Sequence, residues 1–147
     1  CTGAVAGLVA ITPAAGFVDT FGSLMIGIGV SVICYIMVGI IKPRLGYDDS
    51  LDAFGVHGIG GLWGAIATGL FATPAVQAYS GLFYGGGGEQ LWKQLIATVA
   101  TMVYSGVMTF IIFKIVDKLV GIRSTPKEEA IGLDWSEHKE VAYTNID

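Results

Sequence analysis

The sequence predicts an all-α, polytopic membrane helix bundle. Hydrophobic residues make up 53% of the 147 residues and charged residues only 14%, and the mean hydropathy is +0.67. This composition is too apolar for an ordinary soluble domain. Charged residues are sparse before residue 114 and crowd into the end of the chain. We therefore predict transmembrane helices within residues 1–122 and a polar tail over residues 123–147.

Four apolar segments that predict membrane helices lie in the first part of the chain, and the first is short for a span, which needs about 20 residues. They cover about residues 2–18, 21–41, 51–73 and 91–120. Pro13 should kink or end the first helix, and the charged end of the fourth should project beyond the bilayer. The chain begins with Cys1 inside an apolar segment, and its first residues lack the basic region typical of a signal peptide, so we expect none here. We expect it to be the C-terminal part of a longer protein.

The basic residues of the connections predict a topology. If all four segments span, the connection 42–50 and the tail lie on one side, and both are rich in lysine and arginine. Only Lys93 lies near the other side. The positive-inside rule therefore predicts a cytoplasmic C-terminus. The connections 16–20 and 74–90 would face outward, and the glycine run 85–88 within the second predicts a flexible or tightly packed turn.

One ionisable residue lies inside the third segment, which makes it a candidate functional residue. It is His57, in the stretch DAFGVHGIGGLWGAIATG over residues 52–69. A regular α-helix would surround it with Ala53, Phe54, Gly60 and Gly61. Two interpretations stay open: a single interhelical hydrogen bond, or an imidazole that lines a pore or handles protons. No second ligand at metal-binding spacing accompanies it, so we predict no metal site and no cofactor.

The tail contains the sequence signature of a helix start. Thr125 would be the N-cap, Pro126 the first helical residue and Glu128 the third, which together make a capping box. The short helix should end at Gly132.

Four stretches in this order resemble ammonium transporters of the Amt/Mep/Rh family, on the Amt branch. They are AGLVAITPAAGFV (6–18), DAFGVHGIGGLWGAIATGLFA (52–72), AYSGLFYGGG (78–87) and VGIRSTPKEEAIGLDWSEHKEVAY (120–143). The resemblance implies an eleven-helix fold with two inverted repeats, assembled as a homotrimer with one pore per subunit. This chain would supply transmembrane helices eight to eleven and the cytoplasmic tail.

The resemblance also assigns residues to the pore. His57 would be the second of two paired pore histidines, and the first would lie on a helix outside this chain. Asp52 would lie at the cytoplasmic mouth, with Ala53 facing the lumen. Thr2 would lie near the cytoplasmic exit and Thr12 nearer the outer end. For both threonines a bond to the carbonyl four residues back remains the alternative.

The implied function is ammonium uptake across the cytoplasmic membrane. An apolar lumen disfavours a bare cation, so ammonium would lose its proton and ammonia would cross, while potassium would be excluded. An ammonium sensor of the same fold, or a structural helical membrane protein, remains an alternative. No nucleophile–base pair predicts an enzyme, and no basic cluster predicts nucleic-acid binding.

The resemblance gives the tail a regulatory role. In the family this tail docks beneath the pores and couples neighbouring subunits, and a PII-type signalling protein is a possible partner at the cytoplasmic face. The matching residues are Gly132, Asp134, Ser136, Glu137 and His138. Ser136 occupies the position of a hydroxyl that is phosphorylated in some plant relatives. Lys139 stands where the family usually has glycine, which leaves the turn after His138 open.

Overall fold

The computed structural model describes residues 2–140, and within them it contains helices and turns but no strand. The all-helical prediction is therefore confirmed over this part of the chain. Cys1 and residues 141–147 of the predicted tail lie outside the described residues. The helices are α1 (Thr2–Ile11), α2 (Thr20–Leu45), α3 (Phe54–Phe71), α4 (Glu89–Val120) and α5 (Pro126–Ile131).

Three of the described helices are long and apolar enough to cross a membrane, judged by length and composition. These are α2, α3 and α4, while α1 is apolar but shorter. Most of the large apolar side chains of α4 are exposed, whereas Leu91 and Leu95 near its start are partly buried. The division into a membrane part and a tail at residue 122 stays a prediction.

The first predicted segment forms a shorter helix than expected. α1 ends at Ile11, and the chain then turns through residues 12–17. Pro13 has no N–H to donate to the Val9 carbonyl four residues earlier, and that carbonyl instead accepts from the Thr12 N–H at 3.3 Å in a tighter turn. The predicted helix over residues 2–18 was therefore too long at its end.

α2 begins and ends at residues with clear capping roles. Its N-cap is Asp19, whose carboxylate accepts from the Gly22 N–H at 2.8 Å. The helix runs past the predicted end at residue 41 to Leu45. It ends at Gly46, whose φ of +65° is a conformation that glycine adopts at little cost. A π turn at Met37–Ile41 interrupts the α-helical pattern.

Two compact units are distinguished, Cys1–Val103 and Tyr104–Asp147, and their boundary falls within α4. The first unit has a core of small and branched side chains where α1, α2 and α3 meet, including Ala10, Ile26 and Ala67. Gly64 lies so close to α1 that a Cβ there would stand 2.2 Å from the Ala10 carbonyl oxygen. The indole Nε1 of Trp63 donates to the Ile26 carbonyl at 3.0 Å. Close backbone approach and one interhelical hydrogen bond thus fix α3 on its neighbours.

One end of this unit, called here the Asp19 end, is formed by residues 12–19 and 72–88. The Tyr84 hydroxyl donates to the Asp19 carboxylate at 2.8 Å, and the Thr73 N–H donates to the Phe17 carbonyl at 2.9 Å. Hydrogen bonds from the Gly22 N–H, first, and from Tyr84 lower the pKa of Asp19. The same bond to Asp19 raises the pKa of Tyr84. Two segments distant in sequence are thereby joined.

The second unit contains the predicted capping box. The Thr125 hydroxyl accepts from the Glu128 N–H at 3.3 Å, and the Glu128 carboxylate accepts from the Thr125 N–H at 2.7 Å. This backbone hydrogen bond is the main cause that lowers the pKa of Glu128. α5 begins at Pro126 and its C-cap is Gly132. The predicted start and end of this helix are confirmed.

Candidate functional site

His57 lies in a π turn rather than in a regular α-helix. The turn covers Phe54–Gly58, and the N–H of Ile59 donates to the carbonyl of Phe54, five residues earlier. The regular α-helical spacing expected around His57 is therefore interrupted, although Phe54 and Gly61 still line the same cavity as His57. π turns inside α-helices occur frequently at functional sites.

The side chain of His57 is exposed and lines a cavity of about 440 Å³. One wall comes from α3 and the other from the part of α4 that belongs to the first unit. The residues on the wall of α4 include Gln94, Thr98, Thr101 and Met102. Imidazole can accept a hydrogen bond at one nitrogen and donate at the other. The cavity thus places a hydrogen-bonding imidazole opposite the polar side chains of Gln94, Thr98 and Thr101 in an otherwise apolar lining.

Asp49 holds the beginning of the π turn, and sequence reasoning did not single it out. One carboxylate oxygen accepts from the Ala53 N–H at 2.8 Å. The other accepts from the N–H groups of Phe54 at 2.9 Å and Gly55 at 3.3 Å. The first N–H groups of a helix have no partner within the helix. An aspartate shortly before an apolar segment was the signal available in the sequence.

Asp52 lies in the connection before α3 and is tied to the end of α2. Its backbone has a φ of +55°, which is unusual for a residue other than glycine. Its carboxylate accepts from the Lys42 ammonium at 2.5 Å. The same ammonium also donates to the Asp49 carbonyl at 2.5 Å. Lys42 therefore links both aspartates, and the region formed by residues 42–53 is called here the Lys42 end.

The structure separates the predicted pore residues into two groups. Thr2 and Asp52 line one cavity of about 460 Å³, together with residues of α2. His57 lines the other cavity described above, and Ala53 and Thr12 line neither of the two. Ala53 is exposed, and its N–H is bound by Asp49. Thr12 donates its hydroxyl hydrogen to the Leu8 carbonyl at 2.7 Å, which is the local bond named as the alternative.

The tail residues singled out in the sequence follow one another around a second turn. Gly132 ends α5 with a φ of +102°, and the π turn Asp134–His138 contains Asp134, Ser136, Glu137 and His138. The Ser136 hydroxyl oxygen is shielded from solvent and has no hydrogen-bond partner among the described residues. Lys139 has a φ of +58°, a left-handed conformation that glycine adopts more readily than lysine. Glycine is the residue that the resemblance leads us to expect at this position.

No group of three or more histidine, cysteine, aspartate or glutamate side chains within residues 2–140 could hold a metal ion. The buried thiol of Cys34 instead donates to the Gly55 carbonyl at 3.5 Å.

Comparisons with known proteins agree with the resemblance seen in the sequence. The sequence model of the Ammonium Transporter Family matches residues 1–143. An ammonium transporter of Bacillus subtilis is 54% identical over 144 residues, covering 97% of this chain and 35% of that protein. Ammonium transporter Amt1 of Archaeoglobus fulgidus is 49% identical over 144 residues, covering 97% of this chain and 36% of that protein.

The fold is similar to a solved structure as well. The crystal structure of Candida albicans Mep2 matches with a TM-score of 0.76 at 36% identity, covering 87% of this chain and 30% of that protein. The chain spans about a third of the length of the curated relatives it matches. Because the family model matches nearly the whole chain, the chain belongs to the ammonium transporter family.

Proposed function

We propose that the protein containing this chain takes up ammonium across the cytoplasmic membrane, which would serve nitrogen uptake. The observation that carries the proposal is the family match over residues 1–143. Family membership and the three long apolar helices indicate a multi-pass membrane protein. The similar proteins from Bacillus subtilis and Archaeoglobus fulgidus are named as transporters. We infer transport, rather than catalysis, on that basis.

His57 is proposed to line the pore as one of two paired imidazoles. Its exposure at the wall of a cavity in an otherwise apolar helix supports this role. A bare cation pays a large desolvation cost in such a lumen. Ammonium can avoid that cost by losing a proton, whereas potassium cannot. The pore would then select ammonium over potassium because it offers few ligands to a cation. The imidazoles would accept and donate hydrogen bonds along the path.

Thr2 and Asp52 are proposed to form the cytoplasmic mouth, because they share one cavity beside the Lys42 end. The Lys42 ammonium offsets part of the negative charge of Asp52 there. Ala53 is proposed to face the lumen near this mouth. Thr12 is proposed for the outer part of the path, where its hydroxyl oxygen can still accept a bond while its hydrogen is held by Leu8.

The assembly and its regulation are proposed on the resemblance. The protein would form a homotrimer in the lipid bilayer with a cytoplasmic C-terminus, in agreement with the distribution of basic residues. The tail residues Gly132, Asp134, Ser136, Glu137 and His138 would dock beneath the pores. A PII-type signalling protein would bind at the same face.

The test uses the full-length gene product in liposomes, with currents recorded on an ammonium pulse and on a potassium pulse. We expect an ammonium response in the wild type. We expect His57→Ala to lower it about tenfold or more, or to admit potassium, because the path loses its oriented hydrogen-bonding group. Ile112→Ala, a truncation of an exposed apolar residue on α4, is the matched control and should conduct like the wild type.

Two outcomes would redirect the interpretation. If correctly inserted wild-type protein gives no ammonium response, a sensor of the same fold becomes the better description. If His57→Ala transports normally but melts at a lower temperature, His57 contributes to helix packing and not to the pore.

A further inference from the structure

Gly55 lies two residues before His57 and is bound from two directions. Its N–H donates to the Asp49 carboxylate at 3.3 Å, and its carbonyl accepts from the Cys34 thiol at 3.5 Å. A Cβ at Gly55 would lie 2.8 Å from the Cγ2 of Val38. Val38 belongs to the π turn Met37–Ile41 of α2. The two π turns therefore pack against each other at Gly55.

α3 is anchored on both sides of its π turn. Toward the C-terminus, close contact of Gly64 with Ala10 and the Trp63–Ile26 hydrogen bond fix the helix on its neighbours. Toward the N-terminus, Asp49 binds three consecutive N–H groups, those of Ala53, Phe54 and Gly55. Between these anchors the segment Phe54–Gly58 must accommodate one residue more than an α-helical turn holds. The N-terminal anchor therefore decides where the extra residue is placed.

We propose that Asp49 is the positioning residue for His57. Its carboxylate fixes the register of the first turn of α3, and that register sets the direction of the imidazole at the cavity wall. The inference rests on the proposed role of His57 in transport. Without Asp49, three N–H groups lose their acceptor, and the first turn can shift toward regular α-helical hydrogen bonding. His57 then turns away from its position, although the carboxylate of Asp49 binds Ala53, Phe54 and Gly55 and not His57 itself.

The neighbouring aspartates do not share this function. Asp48 is exposed, and its carboxylate accepts from the Ser50 hydroxyl at 3.2 Å. The carboxylate of Asp52 binds Lys42 rather than an N–H group of the helix. Asp48 thus offers a matched control: the same residue type, adjacent in sequence, with no hydrogen bond to α3 in the described structure.

The experiment compares Asp49→Ala, Asp49→Asn and Asp48→Ala in the full-length protein. Ammonium flux and potassium permeability are measured in liposomes and normalised to inserted protein. Separately, the rate at which diethyl pyrocarbonate modifies the imidazole of His57 is followed by peptide mass spectrometry. The second readout reports on the position of His57 whether or not the protein transports.

We expect Asp49→Ala to lower ammonium flux about tenfold or to raise potassium permeability, since small displacements of a functional group have effects of this size. The modification rate of His57 should change in the same variant. Asp49→Asn should be intermediate, because its one carbonyl oxygen can replace only part of the acceptor set. Asp48→Ala should match the wild type in both readouts.

The proposal is overturned if Asp49→Ala melts at a lower temperature but keeps wild-type flux, selectivity and His57 modification. If Asp49→Ala does not insert, Asp49→Asn decides by the same criteria. If the wild type itself fails to transport, the proposed function fails. The modification rates then decide on the position of His57 alone, and equal rates in all variants overturn the inference.

Discussion

Asp19 and Asp49 both bind N–H groups in the first turn of an apolar helix, but their surroundings serve different ends of the fold. Asp19 also accepts from Tyr84, which lies 65 residues further along the chain. Asp49 contributes its carbonyl to Lys42, only 7 residues before it. The Asp19 end therefore joins distant segments, whereas the Lys42 end fixes the path of a single connection.

The difference shows that an aspartate that caps a helix can either join segments distant in sequence or fix the backbone of a nearby connection. At the Asp19 end, backbone atoms of separate segments are in close contact, so few small adjustments are available. At the Lys42 end, side chains and a strained Asp52 define how α3 starts. We expect the largest loss of stability from a change in the tightly packed backbone of the Asp19 end, and we expect the loss of Asp49 at the Lys42 end to affect the orientation of His57.

The largest effect on stability is expected at Gly86. A Cβ there would lie 1.8 Å from the Ser80 carbonyl oxygen, a backbone atom that cannot rotate away. Gly86→Ala should therefore lower the free energy of unfolding by about 3 kcal/mol, measured by thermal melting of the full-length protein in detergent. Gly88→Ala is the control, since nothing lies within 4 Å of its Cβ position. Similar melting of both variants would contradict the comparison.

A smaller effect is expected for Gly55→Ala, in the π turn that follows the Lys42 end. The nearest atom, 2.8 Å from the added Cβ, is a methyl group of Val38, and that side chain can adjust. We expect a loss of about 1 kcal/mol in the same melting measurement. Gly39→Ala, whose Cβ would lie 3.8 Å from the Tyr35 ring, serves as the control. A loss as large as that of Gly86→Ala would show that the packing around Gly55 is equally rigid.

Removal of the Lys42 ammonium should have a still smaller effect. Lys42→Met leaves the carboxylate of Asp52 without its partner in a backbone conformation that already carries strain. The melting temperature should fall by about 1 °C. Lys93→Met removes the partner of Glu89 in a pair whose side chains are 60% and 76% exposed, and it should have no measurable effect. If the two variants lower the melting temperature equally, the Lys42–Asp52 pair stabilises the protein no more than the exposed Lys93–Glu89 pair does.

The smallest effect is expected for Tyr84→Phe, and it should depend on pH. The pKa of Asp19 is lowered in the folded protein. Ionised Asp19 therefore stabilises the fold at a pH above the ordinary aspartate pKa, and this contribution is lost as the pH falls through the lowered pKa. The difference in melting temperature between Tyr84→Phe and the wild type should therefore shrink below about pH 4. Tyr79→Phe, which keeps the ring that packs near Phe17, is the control. If the difference in melting temperature does not depend on pH, Tyr84 does not stabilise the protein through its hydrogen bond to Asp19.

Local patterns in the sequence predicted some parts of the structure fully. The capping box at Thr125 was predictable because all its determinants lie within four consecutive residues. Pro13 likewise indicated the end of α1, although the turn came earlier than the apolar composition suggested. Such features depend on neighbours in sequence and not on the rest of the fold.

The geometry around His57 could not be predicted in the same way. A π turn has no short sequence pattern, because it results from anchors at both ends of a helix rather than from the residues within it. The role of Asp49 was missed since its three bonds form only once the chain turns back on the start of α3. The sharing of one cavity by Thr2 and Asp52 likewise depends on how α1 and α2 pack.

The π turn at Phe54–Gly58 has a consequence for comparing and engineering members of this family. A π turn is geometrically equivalent to the insertion of one residue into an α-helix. Deleting one residue from this segment would restore α-helical hydrogen bonding and rotate the preceding residues by about 100° relative to those that follow. A one-residue gap at this place in an alignment therefore marks a reorientation of the start of the helix, even where the surrounding sequence is unchanged.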